Sequence, residues 1–189
     1  MSAGPTTAID KVAKALAGIA APSPTDGRKA APPDGIPCFE IAPLHAREAA
    51  LRLRDACGFE VNTFVTAVDR FPAEPRFEVI WQFLSVREDG GRVRLRTRVP
   101  ASRPYVASIV DVFPGAAYPE RECFDMFGVE FEGHAGLKRL LMPEGYGHHP
   151  LRKDFPHQGI EPDRLYREWD RLRRERPANR DLPQAPRAS

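Results

Sequence analysis

No stretch of this chain approaches the roughly 18 consecutive apolar residues that a membrane-spanning helix needs. Its charge is not one-sided either: 28 Lys and Arg against 26 Asp and Glu leave a formal net charge of +2. That balance gives no reason to expect a nucleic-acid binder or a polycationic membrane-surface protein. Cysteine is scarce. Cys38, Cys57 and Cys123 lie far apart with no CxxC pair, so this chain alone builds neither a zinc knuckle nor an iron–sulfur cluster. Isolated thiols of this kind read as small buried hydrophobes and fit a reducing compartment. The N-terminus has no basic region followed by an apolar core, and no arginine precedes Arg28, so neither a secretory leader nor a transit peptide is expected. Catalytic frames are missing as well: there is no HExxH, GxSxG, P-loop or GxGxxG, and no base stands beside Cys123.

What is present suits an α+β domain with appendages. At 189 residues and 42% hydrophobic the chain has the length and apolar content of one ordinary core. Ile9, Val12, Leu16 and Ile19 recur at helical spacing, predicting a helix over 7–20. A Pro- and Gly-rich linker follows over 21–37, and Cys38 to Ile41 reads as a short strand. The run from Pro43 reads as a helix stopped at Gly58. Phe59–Val68, Arg76–Val86 and Arg92–Val99 read as three strands, the last two joined by the Asp89-Gly90-Gly91 turn and therefore antiparallel. On the third strand Arg92, Arg94, Arg96 and Arg98 share one face. The favoured reading is a solvated or edge face that discourages aggregation; an RNA platform would need interleaved aromatics, which are absent. Pro104 is expected to open a helix over YVASIVDVF, and Pro119 a second one ending at Gly128. The expected architecture is two-layered, a mainly antiparallel sheet packed by helices over 1–156. An extended polar tail, 157–189, carries one possible helix at 162–176.

The densest stretch runs from Glu120 to Pro156 and mixes ionisable groups with large apolar side chains. Surfaces that combine anchors with fixed charges usually meet something. Glu120 and Glu122 fall in the first turn of the helix from Pro119, where the dipole favours anions. Arg121 and Asp125 stand four apart and are placed to pair. In HHPLRKDFP, anchors alternate with charges on a segment that His149-Pro150 keeps from being helical. Docking onto a partner and folding back on the chain's own sheet suit this segment equally. A metal site from His134 and His149 would make the chain a stand-alone hydrolase, but adjacent His148 and His149 rarely serve one metal.

These residues carry a family resemblance. The first block is Glu120, Arg121, Glu122, then Asp125, Met126, Phe127, Gly128, His134 and a basic–apolar run from Lys138. The second block is His149, Pro150, Leu151, Arg152, Lys153, Asp154, Phe155 and Pro156. Together they resemble the signature of the C, or thirty-kilodalton, subunit of proton-translocating NADH-quinone oxidoreductase, respiratory complex I. The resemblance covers roughly Ala8 to Pro156. It implies a non-catalytic scaffold of the peripheral arm, holding no cofactor itself, in a complex that carries FMN, iron–sulfur clusters and quinone. It also implies a hetero-oligomer with the D (forty-nine-kilodalton) and B subunits, beside the quinone site. The place implied is the cytoplasmic face of the bacterial inner membrane, reached only through the complex. The two signature blocks would then brace the domain or orient that interface. A hydrogenase-type membrane complex shares the motif and is the nearest alternative.

Overall fold

The computed structural model describes residues 8–22, 34–87, 90–157 and 159–160, with Arg167 and Arg171. Most of the linker and nearly all of the expected tail helix lie outside these residues. Three helices are described: α1 (Ala8–Ala15), α2 (Ala46–Arg52) and α3 (Ala117–Phe127). Seven strands accompany them: β1 (Ala20–Pro22), β2 (Cys38–Ile41), β3 (Val61–Asp69), β4 (Phe77–Leu84), β5 (Arg92–Val99), β6 (Tyr105–Ala107) and β7 (Glu130–Glu132). Five of the strands form one sheet in the order β1-β2-β5-β4-β3, and β6 and β7 form a parallel pair. Only the β2–β5 junction of the larger sheet is parallel, so the α+β, mainly antiparallel architecture holds.

Period-two patterning places the core. Phe77, Val79, Trp81 and Phe83 of β4 and Val93, Leu95 and Val99 of β5 point to one face and are buried. Val12 and Leu16 from the N-terminal segment, Ala49, Ala50 and Leu53 around α2, and Cys123 of α3 close over that face. α2 opens from a short 3-10 turn at Pro43–His45, widens into a π-type turn at Leu53–Cys57, and stops at Gly58, whose φ of 78° is left-handed. That ending is the one the glycine announces.

Three boundaries differ from expectation. The N-terminal helix ends at Ala15, because Gly18 turns the chain at φ 83° and Ala20–Pro22 joins β2 as an edge strand. Arg52 reaches across to the carbonyls of Ala15 and Ala17, satisfying that helix end. The helix expected over YVASIVDVF is instead β6 followed by tight turns. Val106 pairs with Phe131 of β7, 25 positions along the chain, a non-local partner that local periodicity cannot reveal. Finally α3 begins at Ala117, through a 3-10 turn at Pro114–Ala116, so Pro119 lies inside its first turn, where a missing N–H costs nothing.

The arginine strand is central, not an edge. β5 lies between β2 and β4, and Arg96 is only 8% exposed. Register explains how a buried strand carries such charge. Arg98 faces Glu78 and Arg96 faces Glu40 directly across the ladder. Glu78, itself buried, accepts from Arg70 at 2.9 Å and approaches Arg98 at 3.4 Å and Arg96 at 3.8 Å. Arg94 donates to Gln82 and pairs with Asp34 at 2.5 Å. Three carboxylates, Glu78, Glu40 and Asp34, thus answer Arg94, Arg96 and Arg98, with Glu78 shared between two of them. Removing Glu78 leaves Arg96 with Glu40 alone and takes this carboxylate from the more exposed Arg70 and Arg98; breaking a buried pair costs about 3–5 kcal/mol, and solvent at these partners places this loss at the lower end. Glu78→Ala is expected to lower the stability read from urea unfolding by that amount, while Arg92→Ala at the exposed end of the same row changes it by less than about 0.5 kcal/mol.

Candidate functional site

The two signature blocks come together at the C-terminal end of α3. Asp125 is fully buried on that helix and holds the loop that follows. Its Oδ2 accepts the backbone N–H groups of Leu140 (3.0 Å), Leu141 (2.6 Å) and Met142 (2.9 Å). Its Oδ1 accepts Arg139 Nη1 at 2.9 Å. Burial pushes this carboxyl up, but the Met142 N–H, the Arg139 guanidinium and the N–H groups of Leu141 and Leu140 outweigh it and hold it below the ordinary aspartate range. Arg139 also donates to the carbonyls of Asp125, His148 and Tyr146. One buried carboxylate thus organises three successive amides, and one guanidinium ties both ends of the loop.

The second block completes the helix end. An α-helix leaves its last carbonyls unsatisfied, and here each finds a donor. Gly128 N–H caps Phe124, His149 Nδ1 and Arg139 cap Asp125, Leu151 N–H caps Met126, and Arg152 Nε caps Phe127 at 2.6 Å. Two of these caps are guanidinium groups, where the helix dipole favours cations. The donor role of Nδ1 leaves His149 Nε2 without a proton. Burial, with the nearby Arg152 and Arg139 charges, lowers the pKa of the ring and keeps it neutral. Gly128 is required for two reasons: its φ is 74°, and a Cβ there would lie 2.3 Å from Arg152 Nη2 and 2.6 Å from His149 Nε2.

Beyond the helix the block clamps the β3–β4 connection. Asp69 accepts two bonds from Arg76 and one from the Lys153 N–H, and Arg76 reaches Asp154 with both Nη atoms at 2.8 and 2.9 Å. Burial raises the Asp69 carboxyl, yet Arg76 and the Lys153 and Phe71 amides hold it at about 2. The guanidinium groups of Arg76 and Arg152 both lie over the Phe77 ring, at 5.0 and 5.1 Å.

Other signature residues serve the near end of α3. Glu120, fully buried, accepts the Ser108 hydroxyl at 2.6 Å and the Ile109 N–H at 2.9 Å, pinning the turn after β6. Burial pushes its carboxyl up to about 7; the Ile109 and Ser108 donors offset only part of that, and Asp111 adds repulsion. His134 Nε2 donates to the Ala117 carbonyl while its Nδ1 accepts the Gly136 N–H. Ala117 and Asp125 are eight residues apart, about 12 Å along the axis, so His134 and His149 sit at opposite ends of α3 and do not share a metal. Arg121 does not pair with Asp125. It donates to the carbonyls of Lys138 and Arg139, because the buried Asp125 is already taken by Arg139. Met126 is buried, Phe127, Pro150 and Phe155 are half-buried, and Glu122, Lys138, Leu151, Lys153, Asp154 and Pro156 are exposed. Sequence pattern does not single out Arg139, Arg76 or Asp69. The only signal it offers is that Asp69 and Arg76 bracket the turn between two strands.

Two measurements probe this network. Asp125→Asn places an amide donor against either Arg139 or the three N–H groups. It is expected to cost about 3 kcal/mol in chemical denaturation and to speed amide exchange at Leu140–Met142. The wild-type contribution belongs above the unfolded aspartate pKa and fades as pH falls through the lowered folded value. Glu120 has the opposite sign. Its folded pKa is raised, so the native state holds a proton that the unfolded chain has released. That stability is complete below about pH 4.5 and is lost as pH rises through about 7. At about 1.4 kcal/mol per unit, the climb from 4.5 to about 7 is worth about 3 kcal/mol. Glu120→Gln is expected to flatten the stability profile between about pH 5 and 8, and an unchanged slope would contradict the assignment.

Comparisons with known proteins converge on one family. A family model described as respiratory-chain NADH dehydrogenase, 30 Kd subunit, matches residues 39–161. The C subunit of the NADH-quinone oxidoreductase of Ruegeria sp. (strain TM1040) is 48% identical over 109 residues, which is 58% of this chain and 53% of that protein. Its counterpart from Xanthobacter autotrophicus is 43% identical over 124 residues, 65% of this chain and 58% of that one. A mitochondrial NADH dehydrogenase [ubiquinone] iron-sulfur protein 3 of Candida albicans is 43% identical over 122 residues, 65% of this chain and 43% of its own length. The chain spans about half the length of the curated relatives it matches. Among solved structures, a trypsin-resistant fragment of Nqo5 superposes with a TM-score of 0.50 at 28% identity, covering 55% of this chain and 83% of that one. A chain of an archaeal membrane-bound sulfane sulfur reductase shares the fold, with a TM-score of 0.62 at 21% identity, covering 94% of this chain and 95% of that one. The chain belongs to the 30 Kd subunit family of the respiratory-chain NADH dehydrogenase.

Proposed function

We propose that this chain is a scaffold subunit of the peripheral arm of an NADH-quinone oxidoreductase, docked beside the subunits that form the quinone site. The observation that carries this reading is how the signature uses its ionisable groups. Glu120, Asp125, Arg139 and His149 each bond backbone atoms of the chain itself, and Asp69, outside the signature, bonds the backbone of its second block. None of them stands as an acid, base or nucleophile facing open space. They fix a loop that presents Leu141 and Leu151 outward at 61% and 53% exposure, with Tyr118 of α3 at 66%. A preformed surface with apolar anchors and a charged rim is what a permanent subunit contact requires.

In this reading the partners are the forty-nine-kilodalton D subunit and the B subunit. FMN, the iron–sulfur clusters and quinone belong to other chains, and membrane attachment at the cytoplasmic face is indirect. No helix among the described residues is long and apolar enough to cross a membrane, which accords with that arrangement. The names of the curated relatives favour NADH-quinone oxidoreductase over the hydrogenase-type alternative.

The test is affinity capture of tagged chain from gently solubilised membranes, read by mass spectrometry and by NADH-quinone reductase activity. Co-purification of D- and B-type subunits with that activity is the expected result, reduced at least tenfold by Leu141→Asp with Leu151→Asp. Recovery of hydrogenase subunits would change the reaction and keep the role. A chain recovered alone would sink the proposal.

A further inference from the structure

The second signature block does more than cap α3; it borders a cleft of about 310 Å³ whose lining includes His148, His149, Arg152, Asp154 and Phe155. Arg152 stands out among these. Its Nε is committed to the Phe127 carbonyl, and its guanidinium lies over Phe77. Among the described residues, Nη1 and Nη2 make no hydrogen bond or ion pair. The two carboxylates that act on its charge, Asp69 and Asp154, both bond Arg76. His149 contributes an unprotonated Nε2. Arg76 and Arg152 together balance Asp69 and Asp154, and of the two guanidinium groups Arg152 is the one that bonds neither carboxylate. The guanidinium is half-buried, and burial followed by repulsion from Arg76 lowers its affinity for its proton, with Asp154 and Asp69 offsetting part of that. Two parallel donors unused within the chain suit an anion, and a planar carboxylate matches two parallel N–H groups in geometry.

We propose that this cleft receives a carboxylate from the neighbouring subunit, an acidic side chain or a chain terminus, held in bidentate fashion by Arg152 Nη1 and Nη2. The inference rests on the subunit reading above and gives that docking surface its polar centre. Nε fixes the fork by holding the Phe127 carbonyl, so the donors are pre-aimed and little entropy is lost on pairing. Arg76 is excluded from the role because both sides of its fork are filled. Exposed His148, stacked edge-on with Tyr146 at 5.5 Å, forms the rim through which the partner enters.

Two experiments test this. In the first, nitrogen-15-labelled full chain is titrated with sodium acetate, sodium chloride and inorganic phosphate at matched ionic strength, following the Arg152 Nε–H and His149 ring signals. Saturable acetate shifts without a chloride response are expected, weakened at least threefold in Arg152→Lys and abolished in Arg152→Gln. No acetate response, or tighter binding of phosphate, overturns the carboxylate assignment. In the second, a photoreactive phenylalanine analogue at position 148 is cross-linked in the assembled complex. The captured peptide is expected to come from another subunit and to carry Asp, Glu or a C-terminus; an intrachain cross-link or a peptide with no carboxylate overturns it. The two readings fail separately. Full recovery of partner subunits with neither signal removes the cleft proposal alone. A chain that binds acetate yet recovers no partner removes the subunit reading, and with it the protein occupant.

Discussion

The buried carboxylate of Asp125 is the interaction on which the signature region depends. It places one negative charge inside α3 and surrounds it with three backbone N–H groups and a guanidinium. A carboxylate with fewer donors there would be protonated or expelled, since burial alone penalises the charged form by several kcal/mol. With four donors it becomes the centre about which residues 139–149 are wound. The loop's return then brings His149, Leu151 and Arg152 to the open carbonyls of the same helix. Each block therefore satisfies polar groups of the other, so neither the helix end nor the loop is a stable unit alone.

The strand region is legible in the sequence because its information is local. Period-two alternation in β4 and β5 and the Gly58 stop need only neighbours in sequence, and these elements appear where the pattern puts them. β6 escapes such a reading because Val106, Ile109, Val110 and Val112 fit helical spacing as well as strand, and only the distant Phe131 decides between them. The Arg121–Asp125 pair fails for a related reason. Spacing four apart permits a surface pair worth a few tenths of a kcal/mol, but Asp125 faces inward. A buried carboxylate takes the partner that also satisfies its backbone neighbours, and that partner is Arg139. The segment HHPLRKDFP admits docking or fold-back on equal terms when read as sequence. The geometry shows it doing the second with its backbone, His149 and Arg152 Nε, while Leu151 still faces outward at 53% exposure.

The arginine ladder teaches the same distinction on a sheet. Four arginines in one strand look like a solvated edge when read alone, yet the carboxylates that pair with them lie on β2, on β4 and, for Arg94, at Asp34 just before β2. Charge on a central strand is tolerated only because the register sets Glu40 and Glu78 opposite Arg96 and Arg98. A shift of one residue would send every arginine to the core face. The ladder thus specifies register more than it adds stability, since pairs of this kind roughly break even against apolar replacements.

The whole signature uses buried charge in the same way. A cluster of ionisable side chains with strongly displaced pKa values is commonly taken as the mark of an active site. Here Glu120 is displaced upward and Asp69 and Asp125 downward, yet each displacement traces to burial, backbone atoms or arginines of this chain. Perturbed acidity is the by-product of using buried charge to define a loop. Apolar packing would hold such a loop at similar free energy but in several arrangements, whereas directional bonds to three successive amides admit one. Displaced acidity in this region is therefore no sign, by itself, of a reacting group.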